Sequence, residues 1–360
     1  MNNSDSNINE LRKSIDEIDE KILDLINQRL LLGKEIGNIK RKNKQQVTDK
    51  AREISILKRL NDINKGDLRN DTLDYIFTQI ISESREIQQP SEISYLGPKA
   101  TFTHIAAMNH FGQNVTFGPQ PTIYDVFSDV EKGISAYGVV PVENSNEGAV
   151  NHTLDLFFKS DLKICAEIYQ PVSHDLLSST KSLDEIKMIY SHPHAFAQCR
   201  NWLRENLPKA DLKECSSTAQ AAEKATQIKG SAAIAGREAG QLYKLEVAAS
   251  RIEDNARNTT RFLVIGRDIT HRTENDKTSI MFATAHIPGA LYKALQPMDE
   301  AGINMVKLES RPAKHENWSY FFFVDFQGHI EDPVVNETIA KMKNLCLHLK
   351  HLGSYPMAKT

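Results

Sequence analysis

All 13 prolines lie at position 90 or later, and the 89 residues before Pro90 hold three glycines and only two of the chain's 26 aromatic residues, Tyr75 and Phe77. A stretch with no proline, few glycines and 16 basic against 16 acidic residues lacks the punctuation that interrupts helices, so it reads as all helix. QQPSE at 88–92 is the natural break. From Ile93 to about Asp268, short β-rich runs (ISYLG, AYGVVPV, LKICAEI, KMIYSHP, SAAIAG, RFLVIGRD) alternate with helical stretches such as AFAQCRNWLREN. That alternation predicts an α/β domain with a largely parallel sheet. HRTENDKTS then reads as a polar linker, and beyond it the order β-α-β-β-α-β is the ferredoxin-like one. The expected domains are 1–89, 93–270 and 277–356.

Composition narrows the partners. With 44 Lys plus Arg against 47 Asp plus Glu, the net charge of −3 argues against a protein built mainly to hold nucleic acid or an anionic membrane. No apolar run reaches the roughly 18 residues of a membrane span, and the start, MNNSDSNINEL, lacks the pattern of a secretory signal, so the chain reads as cytoplasmic. Cys165, Cys199, Cys215 and Cys346 lie far apart without CxxC spacing, which suits reduced thiols. Neither a disulfide, a metal site nor a cofactor is expected.

In the first segment, Leu11, Ile15, Ile18, Ile22, Leu25, Leu32 and Ile36 step by threes and fours along one apolar stripe, which crosses Arg29 and reaches Lys40. These two cations stand 11 residues apart, about 16 Å along a helix axis, and share a face. Two long side chains could lean in on one small anion. Leu73, Phe77, Ile80 and Ile87 form a second stripe, with Ser84 and Gln88 on or beside it. Polar groups on a core face need a partner or a ligand, since an unsatisfied buried donor costs about 1–3 kcal/mol; the plainer reading is snorkelling cations and a solvated rim. The first periodic run would make a helix of roughly 50 Å, too long for the rest of the segment to cover, so a partner chain is expected to cover it and to bring Arg12 near the far end of this chain's helix. A coiled-coil module whose basic stretch KEIGNIKRKNK touches DNA is the competing reading.

L-R-x-x-I-D-x-I-D at Leu11 to Asp19, Gln28 and Arg29, Lys40, and V-x-D-x-x-R-E at Val47 to Glu53 resemble the all-helical chorismate mutase family, over residues 8–89. The resemblance implies an intertwined helical dimer. It also implies that Arg29 and Arg52, with Arg12 of the second chain, hold the two carboxylates of chorismate, that Lys40 and Gln88 donate to the ether oxygen, and that Asp49, Glu53 and Ser84 contact the ring hydroxyl and its surroundings.

In the central segment, G-P-K-A-T-F-T-H at Gly97 to His104 follows a strand and opens a helix, where backbone amides could cradle an anion. V-V-P-V-E-N-S at Val139 to Ser145 ends a buried strand with a carboxylate and an amide. Y-S-H-P-H at Tyr190 to His194, C-S-S-T-A at Cys215 to Ala219 and N-T-T-R-F at Asn258 to Phe262 are further junctions, and His192 and His194 read as hydrogen-bonding groups, not metal ligands. Taken together, GPKATF, VVPVENS, SHP, STA and TRF resemble the prephenate dehydratase family, over about 93–268. The resemblance implies a two-lobed α/β fold like a periplasmic binding protein, with prephenate in the cleft. It makes Thr260 the principal catalytic group and assigns Glu143, Asn144, Ser191, Gln198 and Arg261 to prephenate binding, Arg261 either positioning substrate or stabilising the motif. Ala100 stands where that family usually has glycine, and Thr103 where serine is commoner.

Finally, G-A-L-Y at Gly289 to Tyr292 and E-S-R-P at Glu309 to Pro312 resemble the ACT regulatory domain, over 277–356. That resemblance implies a phenylalanine site made by Gly289, Ala290 and Leu291 with Glu309, Ser310, Arg311 and Pro312 at a domain interface; Gly289 would permit close approach. The plain reading of Glu309 and Arg311 is an edge-strand ion pair worth at most about 1 kcal/mol. The three resemblances imply a bifunctional homodimer, possibly associating further, that takes chorismate to prephenate and then to phenylpyruvate under feedback by L-phenylalanine. The rival class is an aromatic-amino-acid-responsive transcription regulator. The absence of a clear helix-turn-helix and the zero net charge of residues 1–89 count against it.

Overall fold

The structure, a computed structural model, describes residues 3–42, 50–88, 92–112, 114–255, 257–267, 269–312 and 320–358. The chain divides into two compact units.

The first unit contains α1 (Asn3–Lys42), α2 (Lys50–Ile63) and α3 (Asn70–Gln88), together with the short segment at residues 111–116. Ser82 Oγ and Arg85 Nη2 both donate to the Phe111 carbonyl, at 2.5 and 2.9 Å, and so tie that segment to α3. At 40 residues α1 is roughly 60 Å long, and it packs against α3. The buried positions of α1 are Gly33 and Gly37, with Ile26 and Leu30 half-buried. The stripe expected to be covered is a different face: Leu11, Ile15, Ile18, Ile22, Leu25, Leu32 and Ile36 are each between 49% and 63% exposed in the single chain.

The second unit holds three sheets. In chain order its elements are β1 (Glu92–Leu96), α4 (Phe102–Phe111), β2 (Thr116–Gln120), α5 (Ile123–Lys132), β3 (Tyr137–Asn144), β4 (Gly148–Ala149), α6 (Asn151–Lys159), β5 (Lys163–Pro171), β6 (Asp175–Ser178), β7 (Met188–Ser191), α7 (Pro193–Gln198), α8 (Arg200–Asn206), β8 (Asp211–Glu214), α9 (Thr218–Gln227), β9 (Ser231–Ala235), α10 (Arg237–Tyr243), β10 (Glu246–Ala249) and β11 (Thr259–Gly266). They are followed by β12 (Asp276–Ala283), α11 (Ala290–Glu300), β13 (Met305–Pro312), β14 (Tyr320–Gln327), α12 (Pro333–Leu345) and β15 (His348–Pro356). The sheets are ordered β2-β1-β3-β11-β5 with β4 beside β3, then β10-β6-β9-β7-β8, then β13-β14-β12-β15. The last is the β-α-β-β-α-β unit the sequence predicts.

The two α/β sheets are mixed, where a largely parallel one was expected. β1 and β3 are parallel, but β11 runs antiparallel to both β3 and β5, and β6 antiparallel to both β9 and β10. The reason is the path of the chain: β5 leads straight into β6 of the second sheet and β10 returns into β11 of the first, so the chain crosses in both directions.

The first and third sheets share a core. Val140, Leu154, Phe157 and Leu263 pack in one cluster with Met281, Phe323, Leu352 and Tyr355. Gly353 makes this approach possible, because a Cβ there would lie 2.2 Å from the Ile164 carbonyl oxygen of β5.

Ala100 has a φ of +62°, a left-handed conformation that costs a residue with a Cβ about 1–2 kcal/mol and that glycine adopts freely.

Candidate active sites

In the helical unit, one face from each helix converges on an open cleft of about 450 Å³. Arg29, Leu32, Ile36 and Lys40 line it from α1, Arg52, Glu53, Ile56 and Arg59 from α2, and Phe77, Ile81, Ser84 and Arg85 from α3. The spacing of three and four that put Arg29 and Lys40 among hydrophobes thus brings both into one site. Arg52, Glu53 and Ser84 join them. Arg12 does not line this cleft: it sits 17 residues before Arg29, about 26 Å away along the same helix. Asp49 lies outside the described residues, as does the side chain of Gln88.

Two lining cations escaped the sequence reading. Arg59 follows Arg52 and Ile56 at steps of four and three, a signal that was available on α2. Arg85 sits beside Ser84 and reaches Glu53 at 3.4 Å while donating to the Phe111 carbonyl. Among the described residues Glu53 is the one carboxylate lining the cleft, against Arg29, Lys40, Arg52, Arg59 and Arg85, so this lining suits a ligand carrying more than one negative charge.

In the second unit the site lies where β3 and β11 end side by side, with Thr260 opposite Asn144 in the antiparallel register. The backbone N–H groups of Asn146 and Glu147 donate to Asn144 Oδ1, at 3.0 and 3.2 Å, which fixes that amide's orientation. Asn144 Nδ2 must therefore point the other way, and it donates to both Thr260 Oγ1 and Asn258 Oδ1 at 2.8 Å. Asn258 Nδ2 in turn donates to Gln198 Oε1 at 2.9 Å, so Gln198 Oε1 can only accept from His174 Nε2, also at 2.9 Å. The direction of every bond follows from two backbone amides. Thr260 accepts at its oxygen, which leaves its own proton to be donated elsewhere and makes it a better donor.

The bond to Gln198 requires a proton on His174 Nε2; burial, opposed by that hydrogen bond and by Glu253 and Asp175, lowers the His174 pKa and favours the neutral ring. Its Nδ1 has no hydrogen-bond partner among the described residues. Sequence reasoning missed His174, since nothing in its local pattern marks it, and quoted Asn258 only as part of the NTTRF motif.

Other expected residues are placed differently. Ser191 is fully buried and donates to the Ile234 carbonyl of β9 at 2.8 Å, a bond within its own sheet. Glu143 and Arg261, which alternate with Asn144 and Thr260 along the strands, project to the opposite face of the sheet. Glu143 meets Lys307 at 2.6 Å, and Arg261 is 5% exposed among Glu167, Asp325 and Tyr355. The structure thus places the Arg261 guanidinium behind the strand pair, on the face away from Thr260. His192 caps α7 through the His194 N–H, and His194 pairs with Glu147 at 2.6 Å. In the GPKATFTH turn, the Ala100 N–H is already given to His104 Nδ1 and the His104 N–H to Thr101 Oγ1, so these two amides do not form an anion cradle.

In the third sheet a pocket of about 230 Å³ is lined by Gly289, Ala290, Leu291 and Tyr292 with His286, Tyr320 and Phe322. The ESRP residues do not line it. They lie on β13, where Ser310 pairs with Phe322 and Pro312 with Tyr320, one strand away. Glu309 and Arg311 form no ion pair with each other among the described contacts; Arg311 Nη2 instead reaches Asp155 of α6 at 3.3 Å, and its Nε is buried without a partner. Gly289 has a φ of +77° at the start of α11, a conformation that favours glycine, and a Cβ there would meet no protein atom within 4 Å.

Comparison with known proteins agrees with this division. Residues 11–89 match the family Chorismate mutase type II, and residues 93–270 match the family Prephenate dehydratase. A bifunctional chorismate mutase/prephenate dehydratase from Aquifex aeolicus is 45% identical, covering 98% of this chain and 98% of that relative. Among solved structures, a prephenate dehydratase from Arthrobacter aurescens in complex with L-Phe superposes with a TM-score of 0.69 at 34% identity, covering 74% of this chain and 90% of its own. GqqA, described as a quorum-quenching acylase, superposes with a TM-score of 0.68 at 29% identity, covering 74% of this chain and 98% of its own. One scaffold thus carries more than one chemistry, so the fold alone does not decide the activity. The two family matches, the near full-length likeness and the two separate sites together place the chain in the family of bifunctional chorismate mutase/prephenate dehydratases.

Proposed function

We propose that the cationic cleft rearranges chorismate to prephenate, that Thr260 then assists conversion of prephenate to phenylpyruvate, and that L-phenylalanine acts on the C-terminal sheet as a feedback inhibitor. The first step is a Claisen rearrangement, which needs no nucleophile. It needs a dicarboxylate held compact and donors aimed at the ether oxygen as the C–O bond breaks. Arg29 and Arg52 suit the carboxylates and Lys40 the oxygen, with Gln88, Asp49, Glu53 and Ser84 completing the set. Arg12 would enter from a second chain, whose α1 would cover the exposed apolar stripe. The pocket edged by Gly289, Ala290 and Leu291 is the place we assign to phenylalanine, with Glu309, Ser310, Arg311 and Pro312 acting on it from the neighbouring strand.

The observation that carries the second step is the hydrogen bond from Asn144 to Thr260 Oγ1. When the C–CO2 bond of prephenate breaks, its electron pair enters the ring and expels the hydroxyl. A threonine hydroxyl whose oxygen already accepts can donate a hydrogen bond to that departing oxygen, which takes up one proton from solvent water and leaves as water while Thr260 keeps its own. No helix among the described residues is long and apolar enough to cross a membrane, and the cytoplasm is the compartment we assign.

Thr260→Val keeps the shape and removes the donor, whereas Thr260→Ser keeps it. Dehydratase turnover measured on purified prephenate is expected to fall 10²–10⁴-fold in the valine variant and to be largely retained in the serine variant. Wild-type turnover in Thr260→Val would remove Thr260 from the mechanism.

A further inference from the structure

The reverse side of the catalytic strand pair is held by residues of the C-terminal sheet. Arg261, opposite Glu143 in register, turns its guanidinium away from the face that bears Thr260. Its Nε donates to Glu167 Oε2 at 2.8 Å, its Nη1 to Asp325 Oδ2 at 2.6 Å and its Nη2 to the Tyr355 hydroxyl oxygen at 3.0 Å. Because Tyr355 accepts there, its own proton goes to Ser279 Oγ at 2.7 Å, and Ser279 donates to Asp325 Oδ1 at 2.6 Å. The ring is closed and directional. Lys277 meets both oxygens of Glu167, at 2.7 and 2.8 Å. On β3, Glu143 itself is held by Lys307 of β13 at 2.6 Å.

Two acids and two bases are thus shut away from water, with side-chain exposures of 0% for Glu167, 6% for Arg261, 7% for Lys277 and 11% for Asp325. Burial by itself would weaken the Arg261 charge, but Tyr355, Asp325 and Glu167 together hold it firmly protonated. An enclosed quartet of this kind is a poor source of net stability compared with well-packed hydrophobes, because desolvation offsets most of the attraction. What it does supply is one fixed geometry, since each of the four charged groups is held by named partners on other strands.

We infer that Asp325 and Tyr355, although they lie in the C-terminal sheet, are positioning residues for dehydration: they fix Arg261 and, through the backbone of β11, the placement of Thr260 against Asn144. This inference rests on the assignment of Thr260 to the dehydration step. A misplacement of about 1 Å in a catalytic group can cost on the order of 10²-fold in rate. The C-terminal sheet is therefore part of the dehydratase site, at the back of the strands that carry it.

Tyr355→Phe removes a single oxygen from the ring and Asp325→Asn removes one charge. Both are made in the full chain beside Thr260→Val, and dehydratase kcat and KM are measured with purified prephenate, mutase turnover with chorismate, and Tm by melting. Expected is a 5- to 50-fold loss of dehydratase kcat in Tyr355→Phe, more in Asp325→Asn, with KM within about twofold and mutase turnover unchanged. If Asp325→Asn does not fold, Tyr355→Phe decides. A lowered Tm with wild-type kcat below the melt would overturn the inference, because the ring would then be structural only. Full activity in Thr260→Val would overturn it together with the reading of that threonine, whereas an inert Thr260→Val beside a fully active Tyr355→Phe would overturn this inference alone.

Discussion

The two active sites solve related problems by opposite means. The helical unit presents charges: Arg29, Lys40, Arg52 and Arg59 line an open cleft in which Glu53, held by Arg85, is the single carboxylate among the described lining residues. The site on β3 and β11 presents uncharged groups, Asn144, Asn258, Gln198 and Thr260, in a chain whose direction two backbone amides dictate. Four buried charges, Arg261, Glu167, Lys277 and Asp325, lie on the far side of the sheet, while on the near side Gln198 reaches the Glu147 carboxylate at 3.5 Å. The difference follows the chemistry proposed for each. A rearrangement needs its substrate folded and its developing charge met, which cations at a cleft can do. Loss of a hydroxyl needs one hydrogen bond delivered in one direction.

Charge removal is the sharpest way to separate the two. Lys40→Ala is expected to lower mutase kcat/KM by about 10²–10³-fold, the range for deleting a charge-stabilising donor, with no effect on dehydration of added prephenate. Equal losses in both assays would mean that the sites are not separate. Next comes the exposed stripe. Ile18→Glu and Ile22→Glu, at positions 53% and 49% exposed in the single chain, should dissociate a dimer in sedimentation and take most mutase activity with it. A monomer with full mutase turnover would show the cleft to be complete within one chain. A smaller effect is expected from Asn258→Ala, which interrupts the amide chain but leaves the Asn144 to Thr260 bond: a loss of roughly tenfold in dehydratase kcat, about 1.4 kcal/mol, with KM little changed.

The smallest contrast is in acid. No histidine occurs in residues 1–89, whereas His351 of β15 is held neutral, its pKa lowered to about 4 by burial and by Lys163 and His329. The folded-state value is below the unfolded one, near 6.5, so the contribution to stability is complete above pH 6.5 and is lost as pH falls towards 4, by at most about 3 kcal/mol. His174, also shifted down by burial, adds in the same direction. Urea unfolding followed at pH 7.5 and 5 should show the second unit weakening more than the helices, with a shallower dependence in His351→Gln. An unchanged dependence in that variant would remove His351 as the cause.

How much of this could be read beforehand also differs between the regions. Helical periodicity places Arg29 and Lys40 on an apolar stripe, and both line the cleft, because a helix carries its own register: residues three and four apart share a face whatever surrounds them. A strand pair offers no such signal. That Thr260 meets Asn144, 116 positions earlier, depends on which strands pair and in what register, and only the family resemblance pointed to either. The same resemblance assigned Glu143, Ser191 and Arg261 to the cleft. Strand alternation puts Glu143 and Arg261 behind it and a sheet carbonyl takes Ser191, which the one-dimensional pattern does not reveal. His174 and the ring around Arg261 were invisible for the same reason. Their partners come from β5, β12, β14 and β15, and no local spacing connects those strands.

The central claim, that one chain carries two separate active sites, is tested most directly by mixing two inactive halves. Arg29→Ala and Thr260→Val are purified, given chorismate singly and together, and the products followed by NMR. The account predicts that Arg29→Ala alone leaves chorismate unconsumed, that Thr260→Val alone accumulates prephenate, and that the mixture makes phenylpyruvate. A mixture that makes none, or either variant making phenylpyruvate unaided at the wild-type rate, would contradict it.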